Sequence, residues 1–286
     1  MSMPTPLTIH PMSPIDLPFA ADCAAAEGWL GANLEIFEDF YTHDPAGCLL
    51  AIWDGNPAGI CVATHYDTCG FIGELIVQPN FRQRGIGAAL LNRAVQYLCQ
   101  KGVQSIYLDG VPKAAPLYER NGFHKICLSL RFQGSLQGKA RSDVFKMRES
   151  DLPAVFELDR QAFGADRSFF LTRRLKQHPR LCLVMMQRGE LTGYLMGRQG
   201  DGWASAGPLI TTNGADPIPL LERLAFELDN QPISLGVLAC NQPAVSLYRG
   251  LGLEERPDPP WRMSTSPAED LGASVNCWAI GSAAKG

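Results

Sequence analysis

The stretch from Gly73 to Leu91 brings together residue types that bind a polyanion: Gly-Glu-Leu-Ile-Val-Gln-Pro-Asn-Phe-Arg-Gln-Arg-Gly-Ile-Gly-Ala-Ala-Leu-Leu. Leu75, Ile76 and Val77 form a short β-prone run that Pro79 stops. Arg82, Gln83, Arg84, Gly85, Ile86, Gly87 and Ala88 make a basic loop with two glycines. Ile86, Leu90, Ala94 and Leu98 then recur every four residues, with Leu91 and Val95 beside them, which predicts a helix. A strand, a glycine loop and a helix in that order present free backbone N–H groups and a positive dipole end to an anion. Without a Cβ, Gly85 and Gly87 let the anion approach the backbone, and Arg82 and Arg84 add charge. The reading is a phosphate or pyrophosphate cradle; the plain alternative is an ordinary strand-to-helix turn. A Walker loop is excluded because Ala88 follows Gly87, and a Rossmann fingerprint because Leu90 stands where its third glycine belongs.

What remains is Arg-x-x-Gly-x-Gly after a strand ending in Val-x-Pro, with Leu117-Tyr118-Glu119-Arg120-Asn121-Gly122-Phe123 further on. This resembles motif A of the GNAT N-acetyltransferase superfamily. The resemblance implies an α/β (α+β) fold, a mixed, mostly antiparallel twisted sheet flanked by helices. It implies acetyl-coenzyme A as acyl donor, its pyrophosphate held by the loop from Arg82 to Ala88. The strand from Leu75 to Val77 would pair with the pantetheine arm, one of its N–H groups steadying the thioester oxygen. A bulge in that strand would open a V-shaped slot.

Acetyl transfer to an amine also needs a base and an acid. By resemblance Tyr118 is the candidate for protonating the leaving thiolate. A phenol of pKa about 10 serves a thiol of pKa about 8.5 only if well positioned; otherwise Tyr118 is a packing residue. Glu74 is the candidate base, directly or through a water, and the alternative is a solvated carboxylate at a strand end. Asp109 ends the next strand and either orients the amine or, the favoured reading, caps the following helix. The family's usual asparagine is missing there, since the segment reads Asp109-Gly110-Val111-Pro112-Lys113. Glu27, Trp29, Phe37 and Tyr41 fall in the helix–loop–helix that lines the acceptor pocket in this family; each also suits a core.

These groups must be carried by ordinary elements. Leu7-Thr8-Ile9 predicts a first strand, Asp16 and Pro18 a helix start, and Leu34, Phe37, Phe40 and Tyr41 an amphipathic helix. Cys48–Trp53 and Ala58–Ala63 around Asp54-Gly55 predict a hairpin. Ser105–Asp109, a short helix ending at Gly122, and Ile126–Phe132 follow. Then the plan repeats. Asp151-Leu152-Pro153 echoes Asp16-Leu17-Pro18, Cys182-Leu183 echoes Cys48-Leu49, Gly189 and Gly193 echo Gly55 and Gly59, and Leu247-Tyr248 echoes Leu117-Tyr118. The expected organisation is a catalytic domain over 1–134, a linker at about 133–143 and a degenerate copy over 144–286. The copy keeps Asn241, Pro243 and Tyr248 but offers only Gly214, with Asp216, at the cradle position. Arg173 and Arg174 read as a solvated pair, and Trp278-Ala279-Ile280 as an added edge strand.

The 286 residues suit about two domains, and 46% hydrophobic with 19% charged residues suits a globular core. A formal charge of −4 gives no drive toward nucleic acid or membrane. No run approaches the ~20 apolar residues of a bilayer span, and Met1–His10 lacks a signal-peptide pattern. Nine cysteines without a C-x-x-C pair read as small hydrophobes of a reduced, cytoplasmic protein, and the scattered histidines argue against a metal. The expectation is an N-acetyltransferase acting on a primary amine, small-molecule or peptide, by direct attack in a ternary complex, as monomer or homodimer. The rival is a non-catalytic acyl-CoA sensor or interaction module.

Overall fold

The computed structural model describes residues 6–29, 31–200, 202–266 and 274–286. The first half runs β1 (Leu7–Pro11), α1 (Leu17–Ala26), α2 (Leu34–His43), β2 (Cys48–Trp53), β3 (Asn56–His65), β4 (Cys69–Val77), α3 (Ile86–Gln100), β5 (Ser105–Gly110), α4 (Ala115–Arg120) and β6 (His124–Gly134). The second runs β7 (Val144–Lys146), α5 (Leu152–Phe163), α6 (Ser168–Gln177), β8 (Cys182–Gln187), β9 (Glu190–Gln199), β10 (Ala204–Thr211), α7 (Ile218–Glu227), β11 (Ile233–Leu238), α8 (Gln242–Gly250), β12 (Glu254–Glu255), β13 (Trp261–Ser264) and β14 (Cys277–Ala279).

Local chemistry accounts for most of these elements. Asp54 and Gly55 both take positive φ, 49° and 77°, as a two-residue hairpin turn requires, and so join β2 to β3. The four-residue repeat of α3 buries Ile86, Leu90, Leu91, Ala94 and Leu98 in one core with β3 and β4 residues. Burial of each leucine there is worth about 2 kcal/mol. On the other face α1 and α2 contribute Leu17, Ala20, Ile36, Phe37 and Phe40 to a second core. Asp16 behaves differently from expectation: its carboxylate turns back to accept from the N–H and hydroxyl of Ser13, at 2.8 and 2.7 Å, and leaves α1 uncapped.

The repeat is borne out at the level of register. Cys48 faces Val62 and Cys182 faces Met196; Leu50 faces Ile60 and Val184 faces Tyr194; Ala51 faces Gly59 and Met185 faces Gly193. Both hairpins then shift register at the next residue, between Ala51 and Ile52 and between Met185 and Met186.

The halves are joined through their sheets. Residues 124–128 of β6 pair with β13, which also pairs with β5. Residues 129–134 of β6 leave that sheet and pair with β11 on one side and β12 on the other. Each half therefore inserts a strand into the sheet of its partner. Gln133 and Gly134, read as the start of a linker, still belong to β6, where they pair with Ser234 and Ile233.

Two further expectations are corrected. Trp278 and its neighbours are not an edge strand. β14 enters between β10 and β11: Leu209 and Ile210 pair with Ala279 and Cys277, and Ile280 donates its N–H to Gly236 at 2.9 Å. Nor are Arg173 and Arg174 a solvated pair. Arg173 Nε donates to Asp39 at 2.7 Å across the halves, and Arg174 is buried against the Gly207 and Met196 carbonyls.

Candidate functional site

β4 and β5 are parallel and paired only at Cys69–Phe71 with Ser105–Tyr107. Beyond Phe71 they part, because β13 takes the other edge of β5 and β4 carries a bulge. Against β3, β4 keeps register at Ile76↔Ile60 and resumes at Gly73↔Val62, so Glu74 and Leu75 share the place opposite Cys61. Glu74 takes φ 49° there. The parting strands open a cleft of about 850 Å³, lined by Glu74, Leu75, Ile76, Val77, Arg82 and Tyr118 among others.

Val77 leads from the cleft to the loop. Gly85 has φ 79°, a conformation that residues with a Cβ rarely adopt, and begins α3. The first N–H of α3 to find a backbone acceptor is that of Ala89, on the Gly85 carbonyl at 3.0 Å. The preceding amides point outward, as at any uncapped helix start. A Cβ on Gly87 would make only ordinary contacts, with Val77 Cγ2 at 3.6 Å and Leu117 Cδ2 at 3.8 Å, and one on Gly85 would meet nothing within 4 Å, so no side chain covers the loop there. The arginines are partly committed. Arg82 Nε donates to the Val77 carbonyl at 2.9 Å and its guanidinium pairs with Glu27. Arg84 lies over Trp53 and Phe81, 5.4 and 5.8 Å from the ring centres.

Glu74 is half-buried in the cleft wall, and its buried Oε2 has no hydrogen-bond partner among the described residues. Burial raises its pKa to about 7, with Lys285 and Arg198 opposing the rise. Tyr118 lines the same cleft with its ring edge against Phe123; burial pushes its phenol up, and the Cys61 thiol adds to this. Glu27 and Trp29 line the mouth, Glu27 between Arg82 and Lys113. Phe37 is core, and Tyr41 packs against the same cluster.

Asp109 neither caps α4 nor stands free to meet an amine. Burial would raise its pKa, but Arg262 and Arg131 overcome this and hold the carboxyl below its usual range. Arg262 Nε reaches it at 2.6 Å, Arg131 at 2.9 Å and the Ser129 hydroxyl at 2.7 Å. Arg262 comes from β13, so Asp109 ties the exchanged strand to β5.

The cleft also receives residues that sequence reasoning missed. Arg198 on β9 donates to the Gly31 carbonyl at 2.8 Å, and Lys285, beyond β14, lies over Phe40 and Phe170. Ala284 packs so closely on β4 that a Cβ on Gly73 would come within 2.3 Å of it. Nothing in the small-residue segment around Lys285 signalled this placement.

The second half shows what fills the equivalent positions. By the shared register Pro208 stands where Glu74 stands in the first half. β14 occupies the gap between β10 and β11, and the Tyr248 hydroxyl donates to the Trp278 carbonyl at 2.7 Å. Asp216 accepts from the Ile218 N–H at 2.9 Å at the start of α7. Slot, tyrosine and helix start are all met by the chain itself.

Comparison with known proteins agrees with this architecture. Residues 16–123 match the acetyltransferase (GNAT) family model, and residues 155–271 match a second GNAT acetyltransferase domain model. The chain belongs to the GNAT acetyltransferase family, with two such domains in tandem. Among relatives, the uncharacterized N-acetyltransferase YitH of Bacillus subtilis (strain 168) is 27% identical over 158 residues, 54% of this chain and 55% of that protein. The mycothiol acetyltransferase of Clavibacter sepedonicus is 28% identical over 169 residues, 57% of this chain and 51% of that protein. The chain thus spans about half the length of these two relatives. In fold it is similar to a candidate acetyltransferase of Pyrococcus horikoshii, TM-score 0.79 at 21% identity, covering 100% of this chain and 98% of the other. A tandem GNAT protein from the clavulanic acid biosynthesis pathway gives a TM-score of 0.63 at 16% identity, covering 92% and 100%. No group of three or more metal-ligating side chains occurs among the described residues, and no helix there is long and apolar enough to cross a membrane.

Proposed function

We propose that the first domain transfers an acetyl group from acetyl-coenzyme A to a primary amine by direct attack in a ternary complex. The observation that carries this is the contrast between the two copies. In the second, a strand of the chain fills the slot, a backbone carbonyl accepts from the tyrosine, and the Asp216 carboxylate accepts from the first N–H of the helix. In the first, the corresponding slot and tyrosine line an open cleft, and no side chain covers the helix start at Gly85. An extended amide-bearing arm with a diphosphate at one end fits that set of positions.

The donor supplies an activated acyl thioester; the rest falls to the chain. Amides from Gln83 to Ala88, with the dipole of α3, hold the diphosphate. The parted edge of β4 pairs with the arm, and an N–H at the bulge faces the carbonyl that gains charge in the transition state. Glu74 takes a proton from the incoming ammonium, directly or through a water; at a pKa of about 7 it can both accept and release it. Tyr118 returns a proton to the departing sulfur. Because burial holds its phenol protonated, it remains a donor at neutral pH.

The test is calorimetric titration with coenzyme A. One site per chain is expected. Gly87→Glu places a carboxylate at the loop with only ordinary contacts and without demanding positive φ, and should weaken binding at least tenfold while the chain stays folded. Undiminished binding by that variant would remove the reading.

A further inference from the structure

Behind Glu74 the second domain delivers three cations that acyl transfer does not use. Arg174 on α6, Arg198 on β9 and Lys285 all line the cleft, 8%, 8% and 6% exposed. Arg174 is committed to backbone carbonyls. Arg198 donates through Nη2 to Gly31 at 2.8 Å and through Nη1 to Asn33 at 3.5 Å, while its buried Nε has no partner. The Lys285 ammonium rests on ring faces, 4.4 Å from Phe170 and 4.9 Å from Phe40.

The acidic groups facing this cluster are Glu74, Asp39 and Glu35. Asp39 is held by Arg173 and Gln177 at 2.7 and 2.9 Å, and Glu35 by His178 at 3.1 Å. Glu74 is the one left unengaged. With Asp39 taken by Arg173, the three buried cations face Glu74 and Glu35, an excess of positive charge that a buried site tolerates only at a cost. Burial lowers Lys285 to about 7, with Arg174 and Arg198 adding to the effect and Asp39 and Glu74 opposing it.

We propose that Arg198 and Lys285 form an anion subsite beside Glu74, so that the amine to be acylated also carries a carboxylate or a phosphate. This rests on the acetyltransferase reading for the word acylated, but the subsite itself is a property of the cleft. The unpartnered Nε edge of Arg198 suits an oxyanion, and Lys285 adds a point charge from the segment after β14. An acceptor anchored there presents its amine toward Glu74.

Two measurements on the full chain test this. In the first, thermal stability is followed against inorganic phosphate and against succinate at constant ionic strength. A saturable stabilisation by one of them is expected, weakened at least tenfold in Arg198→Gln and in Lys285→Met, with coenzyme A affinity unchanged in both variants. In the second, acetyl-coenzyme A turnover is compared for β-alanine against β-alaninamide, and for O-phosphoethanolamine against ethanolamine. The acidic member of one pair should be favoured at least tenfold in kcat/KM, through KM, and the preferred pair tells carboxylate from phosphate. The proposal is overturned if neither anion stabilises saturably, if both variants respond like the parent, or if the neutral amines are used equally well. Loss of coenzyme A binding in the parent would instead overturn the acetyltransferase reading, leaving the anion titration to decide the subsite.

Discussion

Glu74 and Tyr118 show how much one residue's chemistry depends on its surroundings. An exposed glutamate would be ionised well below neutrality, but the cleft wall holds Glu74 near 7. The sign follows: below that pH the carboxyl is protonated and cannot act as base, so activity falls as pH falls. On the proposed mechanism kcat/KM should rise through about pH 7 and then level. Glu74→Gln should lower kcat roughly 10²-fold and abolish that rising limb. A limb that survives in the variant would assign it to another group. Tyr118→Phe should lower kcat roughly tenfold or more with coenzyme A affinity unchanged, measured by single-turnover thiol release beside calorimetry. An unaltered rate would leave Tyr118 a packing residue against Phe123.

At the scale of elements, the exchanged strand β13 is the feature on which the site depends. It holds the far edge of β5 while the bulge at Glu74 turns β4 away, and the gap between them is the slot. Its anchor is the buried pairing of Arg262 with Asp109, both with 0% side-chain exposure. Removing one partner strands the other's charge, so Arg262→Met should cost about 3 kcal/mol in urea unfolding. A loss well under 1 kcal/mol would mean that Arg131 and Ser129 suffice for Asp109. In the second domain β14 closes the corresponding gap.

Across the whole molecule, reciprocal strand insertion makes each sheet depend on both domains. Probes in the two halves should therefore report one coincident unfolding transition. The isolated segment 144–286 would expose β11 where β6 now pairs, and sedimentation should find it aggregated or unfolded. Two separate transitions, or a well-behaved fragment, would contradict this. Patterns local in the chain were legible without coordinates: the strand, glycine loop and helix of 73–91, the hairpin at Asp54-Gly55, and the spacing of the two copies. Each follows from side-chain periodicity or backbone freedom over a few neighbours. The destinations of β6, β13 and β14 were not legible, nor were the arrival of Arg198 and Lys285 beside Glu74 or the capture of Asp109 by Arg262. Those pairings join residues up to some two hundred positions apart, and only the packing of two half-complete sheets against each other selects them.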